Sequence, residues 1–186
     1  MKLGFICEGK TEKKIVESEN FQQLLTDLNH TCVPDIIDAK GNGNLLPKYL
    51  DSFSQRLKAN EAEKIIIITD LDEDACITLT KERIAAKEDH IIIVSVKKIE
   101  AWFLADSNCM SSICGTEIQH EFPEEVLNPF ETIKEYLISH TSRGIGDKIL
   151  LAAKMINNNF SVANAAKHAN CNSAKYLIQK LQSLSE

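Results

Sequence analysis

Two short apolar runs, each followed directly by acidic residues, constrain the fold of this chain more than any other feature. Leu3-Gly4-Phe5-Ile6-Cys7 precedes Glu8, and Ile65-Ile66-Ile67-Ile68-Thr69 precedes Asp70. Short β-branched runs that end at polar residues are typical of buried parallel strands. The carboxyl ends of such strands form the ligand crevice of an open α/β sheet. If the two strands are neighbours, Glu8, Asp70 and Asp72 are therefore expected to converge on one edge.

A cluster of carboxylates at one sheet edge predicts a metal site. Packed carboxylates repel one another unless a cation or a proton lies between them, so a divalent cation is the simplest explanation. Glu8, Asp70 and Asp72 are the candidate ligands, while Asp74 could extend the cluster or simply begin the next helix. Ligands that are all oxygen favour magnesium over zinc, and manganese is the next candidate.

Strand and helix patterns alternate through the first half of the chain. Strands are predicted at residues 2–7, 32–38, 64–69 and 90–96. Amphipathic stretches between them predict helices at residues 11–28, 45–59 and 78–88. From residue 98 the strand signals stop, and helices are predicted at residues 98–106, 129–139, 145–157, 160–168 and 172–184. The pattern predicts an α/β domain over residues 1–106, with a mainly parallel four-stranded sheet, and a helical extension over residues 107–186 packed on it.

The distribution of charge limits the kind of partner. The formal net charge of −6 at pH 7 argues against a general electrostatic attraction to nucleic acid. Residues 61–89 carry nine acids and four bases, whereas residues 140–186 carry two acids and six bases. An acidic centre with a basic C-terminal region suits a metal site beside a phosphate-binding surface, although six bases on helices could equally form a solvated face.

The sequence gives no indication of membrane association. No opening apolar stretch is long enough for a signal peptide or a membrane span, so a cytoplasmic location is expected. The six cysteines are scattered and contain no CxxC pair. They are therefore expected to be reduced, and most of them to be small core residues.

Residues 4–11 match the spacing G-x-x-x-x-G-K-T of a phosphate-binding loop. The four spacer residues of such a loop must be irregular, yet Phe5-Ile6-Cys7 are better suited to a buried strand. Glu8 would also repel the phosphates that the backbone amides of the loop are meant to hold. Nucleotide hydrolysis by this route is therefore disfavoured.

Several motifs occur in order along the chain, and together they support a different interpretation. They are Glu8-Gly9-Lys10-Thr11-Glu12, Asp70-Leu71-Asp72, Ile99-Glu100-Ala101-Trp102-Phe103-Leu104 and Gly146-Asp147-Lys148. The first two resemble the toprim fold, which is shared by topoisomerases, primases and nucleases of the overcoming-lysogenization-defect type. The third resembles the F-E-x-W-L-L segment of bacterial toprim-like proteins from restriction or phage-defence loci, with Ile99 in place of an aromatic residue. The fourth is also similar to that group.

The resemblance implies a magnesium-dependent phosphoryl-transfer enzyme, most simply a DNA or RNA nuclease of a defence-associated or restriction-associated family. Glu8 would be a metal ligand or general base, and Asp70 and Asp72 would be metal ligands. Glu100 would be either a further acidic site residue or a capping partner. Glu12 is expected to cap the first helix rather than to bind metal.

Lys10, Lys98 and Lys148 are the candidate substrate-binding residues, although each could merely balance the nearby acids. Nucleic acid is the expected partner, and an ATPase from the same defence system is a further candidate. The alternative is a non-catalytic regulatory module that keeps the acidic pocket for binding a metal or a nucleotide.

Overall fold

The four predicted strands form one sheet in which every neighbouring pair is parallel. The computed structural model describes residues 1–85 and 87–185. The strands are β1 (Lys2–Cys7), β2 (Thr31–Asp38), β3 (Lys64–Asp70) and β4 (His90–Ser95). Their order across the sheet is β2-β1-β3-β4. The prediction of a parallel α/β sheet flanked by helices is therefore confirmed.

Helices occupy each crossover between the strands. They are α1 (Lys10–Glu17), α2 (Glu19–Asp27), α3 (Pro47–Ala59) and α4 (Ile77–Ile84), with a short 3-10 helix at Asn42–Leu45. The predicted helix over residues 11–28 is thus two helices. Ser18 separates them because its backbone is extended and its side chain accepts a hydrogen bond from the Phe21 amide at the start of α2.

The chain after β4 is helical, as predicted. It contains α5 (Glu100–Ala105), α6 (Ser107–Cys114), α7 (Pro129–Thr141), α8 (Lys148–Asn157), α9 (Val162–Ala165) and α10 (Asn172–Ser183), with a 3-10 helix at Pro123–Glu125. Helix α6 was not predicted, because its serine-rich sequence has little helical preference. It is begun by Asp106, whose side chain accepts a hydrogen bond from the Cys109 amide. Within the described residues, no helix combines the length and apolar character needed to cross a membrane.

Each face of the sheet contributes to its own apolar core, because side chains alternate along a strand. Phe5 and Ile66 contribute to the core on one face, which also contains Trp102 and other side chains of the C-terminal helices. Ile6 and Ile67 contribute to the core on the other face, beneath α3 and α4. The C-terminal helices therefore share a core with β1 and β3, and the division into domains at residue 106 stays a prediction.

The phosphate-loop spacing belongs to a strand in this fold. Gly4 to Cys7 lie within β1: all four residues pair with β3, and Phe5 to Cys7 also pair with β2. A Cβ atom at Gly4 would lie 3.0 Å from Leu57 Cδ1 and 3.1 Å from Ala62 Cβ. Gly4 thus permits α3 to approach the sheet closely, and the spacing does not form a phosphate cradle.

The strand order creates a switch point between β1 and β3. From β1 the chain continues to β2 in one direction across the sheet, and from β3 it continues to β4 in the opposite direction. Ligands of open α/β proteins bind at this position, outside the carboxyl ends of the strands. Cys7, near the end of β1, pairs with Asp38 of β2 and with Ile68 of β3. The residues that follow these three strands therefore lie at one edge of the sheet.

Candidate active site at the carboxyl edge of the sheet

A cleft of about 490 Å³ opens at this edge, where β1 and β3 end. Its lining is dominated by charged side chains from β-strand ends, α1, α5 and the start of α8. Among the described residues these are the acids Glu8, Glu12, Asp38, Asp70, Glu100 and Asp147 and the bases Lys10, Lys40 and Lys148. The excess of acids makes the cleft a region that attracts cations.

Glu8 is held in place by the end of β3. Its Oε2 atom accepts a hydrogen bond of 2.6 Å from the Thr69 hydroxyl and one of 3.1 Å from the Asp70 amide. Its own amide donates to the Ile68 carbonyl at 2.9 Å, which continues the parallel pairing of β1 and β3. The predicted neighbourhood of Glu8 and Asp70 is therefore present, with the Glu8 carboxylate fixed at the mouth of the cleft.

Asp70 lies deeper, with only 7% of its surface exposed. Its Oδ1 atom accepts hydrogen bonds from the Ser95 hydroxyl at 2.5 Å and from the Ile99 amide at 2.7 Å. Burial raises the pKa of this carboxyl well above its ordinary value, and the negative charge of Glu12 raises it further, although the Ser95 hydrogen bond opposes the shift. An ionised Asp70 is thus costly unless a cation lies nearby.

Glu12 belongs to the same cluster, which the sequence did not predict. Its Oε2 atom accepts a hydrogen bond of 3.1 Å from the Gly9 amide, so it does cap α1 as expected. Only 5% of its surface is exposed. Burial raises its pKa from 4.5 to about 7, and the charges of Glu8 and Glu100 add to the shift against the backbone hydrogen bonds. Glu12 therefore both caps α1 and belongs to the acidic cluster.

Glu100 begins α5 and has no exposed surface. The Lys148 ammonium lies 3.0 Å from its Oε1 atom and donates a hydrogen bond of 3.1 Å to its Oε2 atom. Within the described residues, Oε1 accepts no hydrogen bond despite being buried. Burial acts to lower the pKa of Lys148, but the charge of Glu100 and the hydrogen bond to it outweigh burial and raise the pKa. Glu100 is thus a cleft residue, and Lys148 is its partner.

Asp72 and Asp74 do not share this cleft. Asp72 has a left-handed backbone, with φ of 47°, which turns the chain immediately after β3. Both side chains line a separate cleft beside Asn42 and Arg83. Asp74 accepts hydrogen bonds there from Arg83 at 2.9 Å and from the Thr80 hydroxyl at 2.8 Å. The expectation that Asp72 and Asp74 join Glu8 and Asp70 is therefore corrected by the fold.

The three predicted substrate-binding lysines differ in position. Lys10 is exposed at the start of α1 and lines the cleft. Lys98 is half-buried and does not line the cleft. Lys148 lies among the acidic residues of the cleft. The basic residues near it in sequence had suggested that it belongs to a separate basic surface of the C-terminal helices, and its position in the cleft differs from that expectation. Lys40, which no motif singled out, is exposed and also lines the cleft.

The other cleft residues that the sequence missed have simple signals. Asp38 ends β2 at the same sheet edge as Glu8 and Asp70. A search for acids at the carboxyl ends of the strands, as was made for β1 and β3, would therefore also have found Asp38. Asp147 caps α8 by accepting a hydrogen bond of 2.8 Å from the Leu150 amide. Its place in the cleft depends on how the C-terminal helices pack, which the local sequence does not reveal.

The donor set of the cleft fits a hard divalent cation in its chemistry. The described residues contain no group of three or more His, Cys, Asp or Glu side chains close enough together to hold a metal ion. Magnesium, however, commonly binds through one or two carboxylates and takes its remaining ligands from water and substrate phosphates. The raised pKa of Asp70 indicates a carboxylate that a cation would stabilise, whereas the ammonium group of Lys148 already lies 3.0 Å from Oε1 of Glu100.

Comparison of the chain with models of protein families, with curated proteins and with solved structures found no match.

Proposed function

We propose that the protein is a magnesium-dependent phosphoryl-transfer enzyme, most simply a DNA or RNA nuclease. The observation that carries this proposal is the burial of Asp70 and Glu12 beside Glu8 at the switch point of the sheet. Burying several carboxylates together opposes folding unless cations or protons offset their repulsion. Proteins retain such clusters where function requires them, and strongly shifted pKa values are common at active sites.

The contacts of Glu8 and Asp70 suggest a role for each of them. Glu8 and Asp70 are the proposed magnesium ligands, because both reach the cleft and both are oriented by hydrogen bonds from neighbouring strands. The chemistry that a bound magnesium ion supplies is neutralisation of charge on the phosphate. Glu8 is also the proposed general base, since it is the more exposed of the two and can take a proton from an attacking water.

Lysines complete the proposed site. Lys10 at the mouth can bind a substrate phosphate, because its exposed ammonium group lies on the same cleft as Glu8. Lys148 pairs with the buried carboxylate of Glu100 and so offsets one of the negative charges of the cleft. No covalent intermediate is required by this arrangement.

The wider biological assignment belongs to the same proposal. The motifs that begin at Glu8, Asp70 and Ile99 resemble the toprim fold, and the cleft gathers Glu8, Asp70 and Glu100 from these three motifs. We infer membership of the toprim-like group from this convergence. A cytoplasmic role in phage defence, with a partner ATPase, follows from that inference and depends on it.

One observation favours a second candidate function. The carboxylates of the cleft are not gathered into a ready-made group of metal ligands in the described residues, and Lys148 already neutralises Glu100. A module that binds a metal or a nucleotide without cleaving a phosphodiester would need no more than these carboxylates and the Lys148–Glu100 pair. Binding without turnover would distinguish such a module from an enzyme.

The test is cleavage of labelled nucleic acid by the purified protein. Plasmid DNA, single-stranded DNA and single-stranded RNA are incubated with magnesium, with manganese or with a chelator, and the products are separated by electrophoresis. The proposal predicts cleavage of at least one substrate that requires the divalent ion. If no substrate is cleaved while magnesium still raises the melting temperature, the binding module is the correct account.

A further inference from the structure

Two exposed lysines line the acidic cleft, one on a helix and one on a loop. Lys10 begins α1, and Lys40 follows β2. The Gly41 amide donates a hydrogen bond of 2.8 Å to the Glu8 carbonyl, which ties the Lys40 loop to the end of β1. The Lys40 amide also donates to Asp38 Oδ1 at 2.8 Å. The two ammonium groups are therefore attached to backbone that is fixed relative to Glu8.

These lysines are the positive charges that the cleft offers to a ligand. Lys148 is paired with Glu100, whereas Lys10 and Lys40 form no ion pair within the described part of the chain. Six carboxylates line the remainder of the cleft and repel phosphate. The cleft can accordingly attract about two phosphates, one for each free ammonium group.

Two carboxylates of the cleft, including the proposed magnesium ligand Asp70, lie below the surface. Asp70 is 7% exposed and Glu100 has no exposed surface. A phosphodiester must enter the cleft to reach them, and the cleft volume of about 490 Å³ is that of a small-ligand site. An unpaired strand can bend into such a cleft more easily than a duplex can, because a duplex is stiff on this length scale.

We propose that the cleft accepts an unpaired nucleic acid strand and binds about two of its phosphates through Lys10 and Lys40. This inference rests on the proposed function and adds the substrate class to it. The formal net charge of −6 agrees with contact to only about two phosphates, because binding many phosphates of a duplex needs an extended basic surface.

The test is the binding of fluorescently labelled strands by the Glu8→Gln protein, in magnesium, at a series of salt concentrations. Single-stranded DNA and RNA, a short strand of a few nucleotides and the matching duplex are compared by fluorescence anisotropy. The inference predicts tighter binding of the single strands than of the duplex. It also predicts a salt slope of about −1.4, from about 0.7 for each of two phosphates.

The Lys10→Ala/Lys40→Ala double variant should weaken strand binding by about tenfold and bring the salt slope close to zero. Lys167→Ala, which removes an exposed lysine that does not line the cleft, is the matched control and should change neither quantity. Equal binding of duplex and single strand, or a salt slope unaffected by the double variant, would overturn the inference. If the wild-type protein cleaves nothing, the proposed activity is wrong, and these titrations still decide whether the cleft binds an unpaired strand.

Discussion

The Lys148 ammonium lies 3.0 Å from Oε1 of Glu100, a carboxylate with no exposed surface. This pair joins the start of α8 to the start of α5 across the acidic cleft. A buried carboxylate without its cation is strongly destabilising. The pair therefore couples the packing of the C-terminal helices to the electrostatics of the site.

Lys148→Ala should lower the free energy of unfolding by about 2 kcal/mol, because it leaves Glu100 buried and unpaired. The loss is smaller than for a fully buried pair, since the Lys148 side chain is 43% exposed and water can partly replace it. Urea denaturation measures the change. Lys134→Ala is the matched control, because Lys134 pairs with the exposed Glu131 on one helix face and its loss should cost less than about 0.5 kcal/mol.

A double variant tests whether the loss arises from the unpaired charge. Lys148→Ala combined with Glu100→Gln should recover most of the stability, because no uncompensated carboxylate then remains in the interior. Equal losses for the single and the double variant would mean that Lys148 stabilises the fold through packing of its aliphatic chain.

The raised pKa of Glu12 makes stability depend on pH in the absence of divalent ions. The folded protein holds this proton with a pKa of about 7, against 4.5 for the ordinary group. The stabilisation is therefore complete below about pH 4.5 and is lost as the pH rises to about 7. The loss attributable to Glu12 can reach about 3 kcal/mol, at about 1.4 kcal/mol for each pKa unit.

Glu12→Gln should reduce this dependence, leaving the part that arises from the raised pKa of Asp70, and should make the protein more stable at neutral pH. The glutamine can still accept the hydrogen bond from the Gly9 amide, so the cap of α1 is kept. Urea denaturation at about pH 5 and about pH 7.5, in a chelator, compares the two proteins. Glu82→Gln, on the exposed face of α4, is the control. A variant that follows the wild-type pH dependence would show that Glu12 is ordinarily ionised in the folded protein.

Divalent ions should raise the melting temperature by binding the folded protein. At about one hundred times the dissociation constant, magnesium or manganese would add about 2.7 kcal/mol to the free energy of unfolding. Asp70→Asn should abolish the shift while keeping the hydrogen bonds to Oδ1 from Ser95 and Ile99. Differential scanning fluorimetry measures the shift.

Asp72→Asn is the informative comparison in that experiment. Asparagine tolerates the left-handed backbone of Asp72, so the turn after β3 should be preserved. The fold predicts a metal-induced shift close to that of the wild type, since Asp72 lines another cleft. The toprim resemblance predicts its loss. Abolition of the shift by Asp72→Asn would mean that the turn rearranges when metal binds.

The strands were predictable from sequence because they are uninterrupted β-branched runs ended by acids. The meeting of Glu8 and Asp70 was expected on the condition that β1 and β3 are neighbours, and the strand order meets that condition. The position of Asp72 was not predictable, because it depends on one backbone angle in the turn after β3. The Glu100–Lys148 pair joins residues 48 positions apart through the packing of helices, which local patterns do not encode.

The most direct test of the central claim is the cleavage rate of the Glu8→Gln protein under single-turnover conditions in magnesium. The substitution is nearly isosteric, and the glutamine oxygen can still accept the hydrogen bonds from Thr69 and the Asp70 amide. The account predicts a rate at least about a hundredfold below wild type, with an unchanged melting temperature or a higher one. Glu82→Gln should cleave at the wild-type rate. A Glu8→Gln protein that cleaves as fast as the wild type would contradict the assignment of the acidic cleft as the active site.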